Sequence, residues 1–116
     1  MIKTIYIVKY SVPNIPSPVK EYLNNFYNIG YCENINNKIR FLEDNSPFTI
    51  KYMWEAKCFY YKDIKKWIQQ LLTPYYHKAN WYQIPPDKVL TLIKGLKTKV
   101  SQLNANYLIE NQRMIK

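Results

Sequence analysis

The sequence predicts an α+β protein. A small mixed or antiparallel sheet of three to four strands is flanked by helices, and a long C-terminal helix follows. Three observations carry this prediction. Apolar, β-branched runs alternate with stretches of helical spacing in the order β, β, α, β, α, β, α. Residues 48–59 show a clear period of two. From Pro86 to Lys116 there is no further proline and a single glycine, Gly95, so one helix is expected to run through.

Each element has its own signal. Residues 2–10, IKTIYIVKY, are rich in Ile, Val and Tyr and suit a buried strand. Residues 11–18, SVPNIPSP, hold three prolines and read as loop. Residues 19–25 fit either a loop or a short helical turn. The stretch FYNIGYCENINNKIRFL, residues 26–42, organises the rest: a strand around Tyr27 to Tyr31, a glycine, then an amphipathic helix over about residues 35–44. Gly30 is one of two glycines in the chain and marks a bulge or a spot where another backbone comes close. Asn34 is suited to cap the helix, and Ile35, Ile39 and Leu42 share one face. Asn45, Ser46 and Pro47 stop it.

In the next strand Phe48, Ile50, Tyr52, Trp54, Ala56 and Cys58 alternate with Thr49, Lys51, Met53, Glu55 and Lys57. The first set is expected on one buried side. Residues 61–73 form an amphipathic helix, with Ile64, Trp67, Ile68, Leu71 and Leu72 as its apolar stripe. Pro74 ends it. A loop and a short strand at Trp81–Ile84 follow, and Pro86 with Asp87 opens the last helix. Its apolar positions Val89, Ile93, Leu96, Val100, Leu103, Tyr107 and Met114 follow a 4-3 spacing, as in a coiled coil. The expected organisation is a domain over residues 1–99 and a helical extension over 100–116. The extension has no evident core left to cover. Two outcomes are open: a homodimer through residues 89–114, or a helix that folds back.

The composition, 47% hydrophobic and 16% aromatic, is that of a folded chain of one domain. No apolar run reaches the length of a membrane span, and Lys3 and Lys9 break any signal-peptide pattern. An intracellular protein, in cytoplasm or nucleus, is therefore expected, with Cys32 and Cys58 as reduced thiols, although spacing leaves a disulfide open. Two cysteines and His77 do not make a zinc site.

The net charge of +9 favours an acidic partner such as nucleic acid. Fifteen lysines against two arginines, beside many Asn, Ile and Tyr, partly reflect A/T-rich codons. The distribution is more telling. Residues 57–99 hold nine lysines against Asp63 and Asp87, whereas residues 1–56 hold six basic and five acidic residues. A strand end, Gly30 and the basic Lys38 and Arg40 on the following helix form a place where a phosphate could dock. The plain alternative is a strand-to-helix junction with solvated lysines.

Thr4-Ile5-Tyr6 followed by Asn28-Ile29-Gly30 resembles the paired motif of the GIY-YIG endonuclease superfamily. The similarity is to the small single-domain type common in phages and large DNA viruses. NIGYCENINNKIRFL resembles that type's strand, glycine and helix with a basic residue eight positions after the glycine. PFTIKYMWEAK, DIKKWIQQLL and NWYQIPPDKV resemble its third strand, second helix and final helix start, so the likeness spans roughly residues 3–95. It implies a GIY-YIG-like fold. In active members it also implies tyrosines of both motifs, an Arg and a Glu gathered around a divalent metal.

This chain departs from that pattern. It keeps Tyr6 and Gly30 but has Thr4 in place of the first glycine. Asn28 stands in the second tyrosine place, with Tyr27 one residue away. The Arg position falls on Lys38, the Glu position on Lys65, and a position often His on Gln69. Magnesium and manganese need oxygen ligands, which an ammonium group cannot supply, and lysine loses arginine's bidentate grip on phosphate. The expectation is a pseudoenzyme with no cofactor. Its former catalytic face would bind nucleic acid, more readily DNA, through Tyr6, Tyr27, Lys38, Arg40, Lys65, Lys66 and Lys78, with the tyrosines stacking on bases. A residual nuclease would need Mg or Mn and a substitute ligand, for which Asp63 is the candidate. A third class is an interaction module that dimerises through the last helix.

Overall fold

The computed structural model describes residues 2–12 and 14–115, the last four of them through the backbone alone. Its strands are β1 (Lys3–Tyr10), β2 (Phe26–Cys32), β3 (Ile50–Cys58), β4 (Tyr76–Lys78) and β5 (Trp81–Gln83). Its helices are α1 (Val19–Asn24), α2 (Ile35–Asp44), α3 (Tyr61–Leu72) and α4 (Pro86–Ile115). Among the described residues the strands form one antiparallel sheet in the order β3-β1-β2-β5-β4. The expected α+β class holds, with one strand more than expected.

β1 is an inner strand and reads as a continuous apolar run because both of its faces are covered. Ile5 and Ile7 point to one core, which they share with Ile29, with Ile64, Ile68 and Leu72 of α3, and with Leu96, Val100 and Leu103 of α4. Tyr6 and Val8 point to the other, with Phe26, Trp81 and Leu42 of α2, closed by Ile35 and Ile39. The sheet is therefore a middle layer: α3 and α4 lie on one face and α2 on the other. Asn34 caps α2 through its side chain, which accepts from the Asn37 amide at 3.0 Å.

Four features differ from the sequence expectation or resolve it. The alternation of residues 48–59 does not keep one side throughout. Ile7 pairs with Trp54 and Val8 with Tyr52, so Met53 is the extra residue of a bulge. Beyond it the pleat switches: Trp54, Ala56 and Cys58 face α3 and α4, whereas Ile50 faces α2 and Tyr52 is exposed. The loop expected before Trp81 is a β4–β5 hairpin. Its turn residues Ala79 and Asn80 have φ of 49° and 68°, the left-handed pair that a two-residue turn needs. Residues 19–24 are helical.

The fourth concerns α4, which continues without a break across residue 99. Val100 and Leu103 are buried in the main core, and Tyr107 stacks on Phe59 at 3.8 Å between ring centroids. Asn104 donates to the Lys57 carbonyl at 2.8 Å and accepts from the Phe59 amide at 3.2 Å. The 4-3 seam, for which a second copy or a fold-back was open, packs as far as Tyr107 on this chain's own sheet and α3; the Met114 side chain lies outside the described residues. Cys32 and Cys58 are free, on opposite faces of the sheet with β1 between them, which rules out a bridge. No helix among the described residues is long and apolar enough to cross a membrane.

Candidate nucleic-acid interface

The site expected around the two motifs is centred on Gly30. Gly30 lies opposite Tyr6 in the β1–β2 register and is buried. A Cβ there would sit 3.2 Å from the Tyr6 hydroxyl and 3.4 Å from the Asn80 amide nitrogen. Neither expected reason holds: the close neighbours are side chains, not another backbone, and the bulge lies elsewhere.

Tyr6 is 0% exposed. Its hydroxyl donates to Asn28 Oδ1 at 2.6 Å, and Asn28 Nδ2 donates to the Ala79 carbonyl at 3.3 Å. The Ile29 amide also donates to the Asn80 carbonyl, at 3.1 Å. These bonds sew the β4–β5 turn to β2. Burial pushes the Tyr6 phenol well above its ordinary range, with only a partial offset from a hydrogen bond with the Asn80 side chain. Tyr6 is thus a structural hydrogen-bond donor in the core, unsuited to activating water. Tyr27, 7% exposed, packs into the core under α3 and α4. Neither ring is open to stack on a base, because the covered sheet needs both as filling. This corrects their expected role.

The cations divide between the two faces. Lys38, on α2, lies 5.9 Å above the Tyr6 ring and 5.3 Å from the Phe41 ring. Lys65, on α3, lies 5.6 Å above the Tyr31 ring on the opposite face. Lys65 and Gln69, one helical turn apart, line a small hollow of about 40 Å³ with Gly30, Asn80 and Tyr82. The positions carried over from the family pattern therefore flank the same glycine, but from two sides of the sheet. Lys78 lies in the hairpin and lines a larger cleft together with Lys38. Arg40 and Lys66 are exposed and line neither space.

Asp63 does not reach Gly30. It lies in the first turn of α3 beside Phe59 and Tyr60, where its charge suits the helix N-terminus. Its partner region holds Tyr60, whose hydroxyl donates to Glu110; that bond above all pushes the phenol up to about 12. Glu55 is paired with Tyr6 in register and is exposed on the outer strand. Among the described residues no group of three or more His, Cys, Asp or Glu side chains is gathered closely enough to hold a metal ion. Burial pushes both thiols up, so neither cysteine is an activated nucleophile.

The larger cleft was not foreseen. It measures about 660 Å³ and opens between α2, α1 and the β4–β5 turn. Its signal in the sequence is scattered: Tyr10, Tyr22, Phe26, Phe41 and Trp81 come from five elements, and only the fold gathers them. Compared with family models, curated proteins and solved structures, the chain matches none.

Proposed function

We propose that this protein binds nucleic acid without cutting it, through lysines that hold backbone phosphates. The observation that carries this reading is the unpaired state of its cations. Among the described residues the one ion pair is Lys3–Glu33, at 2.6 Å. Among the described residues, none of the nine lysines of 57–99 has a carboxylate within salt-bridge distance. Lys57, Lys62, Lys65, Lys66, Lys78, Lys88, Lys94 and Lys97 are all exposed. A surface of ammonium groups without counter-charges attracts a polyanion, and release of condensed counterions supplies the binding free energy.

Chemistry at the former active positions supports holding over cutting. Phosphodiester hydrolysis with a metal needs oxygen ligands and a nucleophile. Here Lys65 stands where the resemblance would place the ligand, Tyr6 is sealed in the core, and Asp63 is turned to another hollow. The test is to mix the protein with supercoiled plasmid in magnesium or manganese at low salt. We expect retarded plasmid that remains supercoiled after the protein is stripped off. Nicked plasmid would overturn the reading, and nicking that disappears in Asp63→Ala would identify a residual nuclease.

A further inference from the structure

We infer that the cleft between α2 and the β4–β5 turn takes an unpaired nucleobase, so that the ligand is a single-stranded or unpaired nucleic-acid segment. This rests on the phosphate-binding reading above and narrows its substrate class. Trp81 and Tyr10 stack face to face at 4.3 Å with an interplanar angle of 14°; Trp81 is buried, so this pair is the rigid inner wall of the cleft, and the open stacking faces are those at its mouth. At the mouth, Tyr22 is 52% exposed and Phe41 is 58% exposed. Large aromatics left in solvent on two sides of one concavity are costly unless a flat apolar group completes the stack. A volume of about 660 Å³ lies within the range of small-ligand sites and accommodates a base with its sugar.

Charge selects the occupant. Lys38 and Lys78 line the cleft, and among the described residues no Asp or Glu lines it. Lys38 already lies 5.3 Å from the Phe41 ring, so cation and stacking face are presented together. A base between rings with its phosphate on an ammonium group satisfies both features. A neutral apolar ligand leaves the lysines unused, and an acidic peptide leaves the rings unused. Double-stranded DNA cannot enter, because its bases are already stacked and paired.

The test uses the full chain and three probes: a short single strand carrying 2-aminopurine, an abasic strand of the same length, and polyglutamate. We expect quenching of 2-aminopurine on binding and affinity for the normal strand on the order of tenfold above the abasic strand. Phe41→Ala should bring the ratio of normal to abasic affinity down to about one. Phe41→Trp should restore the difference, and because Phe41 is more than half exposed neither change threatens the fold. Equal binding of normal and abasic strands would overturn the base-binding inference and leave the phosphate reading standing. Failure of both strands to bind at low salt would overturn the two together. Polyglutamate bound as tightly as the normal strand would show a charge-only surface and overturn the inference.

Discussion

Gly30 and Tyr6 face each other across β1 and β2, and each fixes what the other can be. The Tyr6 hydroxyl is tied to Asn28, so the ring cannot retreat from a new methyl group at position 30. Gly30→Ala should destabilise the protein by about 1–3 kcal/mol, the range for overpacking a tight core, read as a lower urea midpoint. Tyr6→Phe removes the donor to Asn28 Oδ1, whose side chain is fully buried. The orphaned acceptor should cost about 1–3 kcal/mol, with no change in nucleic-acid affinity, since Tyr6 touches no solvent. Burial raises the phenols of Tyr6, Tyr10, Tyr27 and Tyr82 above the ordinary value of 10.0. In the unfolded chain they ionise near that value, and in the folded one later. Their contribution is complete below pH 10 and is lost as pH rises through the folded values. Stability should therefore fall on the alkaline side of pH 10 as the phenolate absorbance rises; a urea midpoint that stays level there would count against these burials.

At the scale of elements, β1, β2, α2, β3, α3 and the start of α4 were legible in the sequence because each carries a strong local signal: period two, period 3.6, a cap or a proline. The missing element, β4, has three exposed residues and a turn, Ala79-Asn80, without the glycine that advertises a hairpin. The bulge at Met53 was hidden because an unbroken alternation in sequence cannot show that the partner strand skips a residue. The second half of α4 stayed open for a different reason. Its apolar seam is the same whether it meets a partner or its own sheet, and only tertiary packing decides. That packing makes a sharp expectation. A chain ended after Lys99 loses Val100 and Leu103 from the core, roughly 3–6 kcal/mol at 1.5–3 kcal/mol for each buried side chain. Against a total of about 5–15 kcal/mol this should leave it marginal or unfolded. In the full chain, Asn104→Ala should cost about 1–2 kcal/mol by cutting both bonds to the end of β3. Thermal melts followed by circular dichroism check both, and a truncated chain that melts like the full one would contradict the packing.

For the whole molecule, the site was legible in part. The lysine excess after residue 57 was visible as composition, and Gly30 with Lys38, Lys65 and Gln69 as spacing. What spacing could not show is that Lys38 and Lys65 stand on opposite faces of a covered sheet, or that five elements assemble an aromatic cleft. Lys88, Lys94 and Lys97 of α4 are exposed as well, within a molecule 60 Å in its longest dimension. Such a surface should bind by many weak phosphate contacts, each adding about −0.9 to the slope of log affinity against log salt on duplex DNA. The decisive measurement is the fluorescence anisotropy of labelled DNA titrated with the protein across a salt series, repeated with Lys65→Glu/Lys66→Glu. Binding at low salt that weakens steeply as salt rises, with a shallower slope for the double variant, is the expected result. DNA left unbound at low salt, or held with an affinity indifferent to salt, would contradict the claim that these lysines grip phosphate.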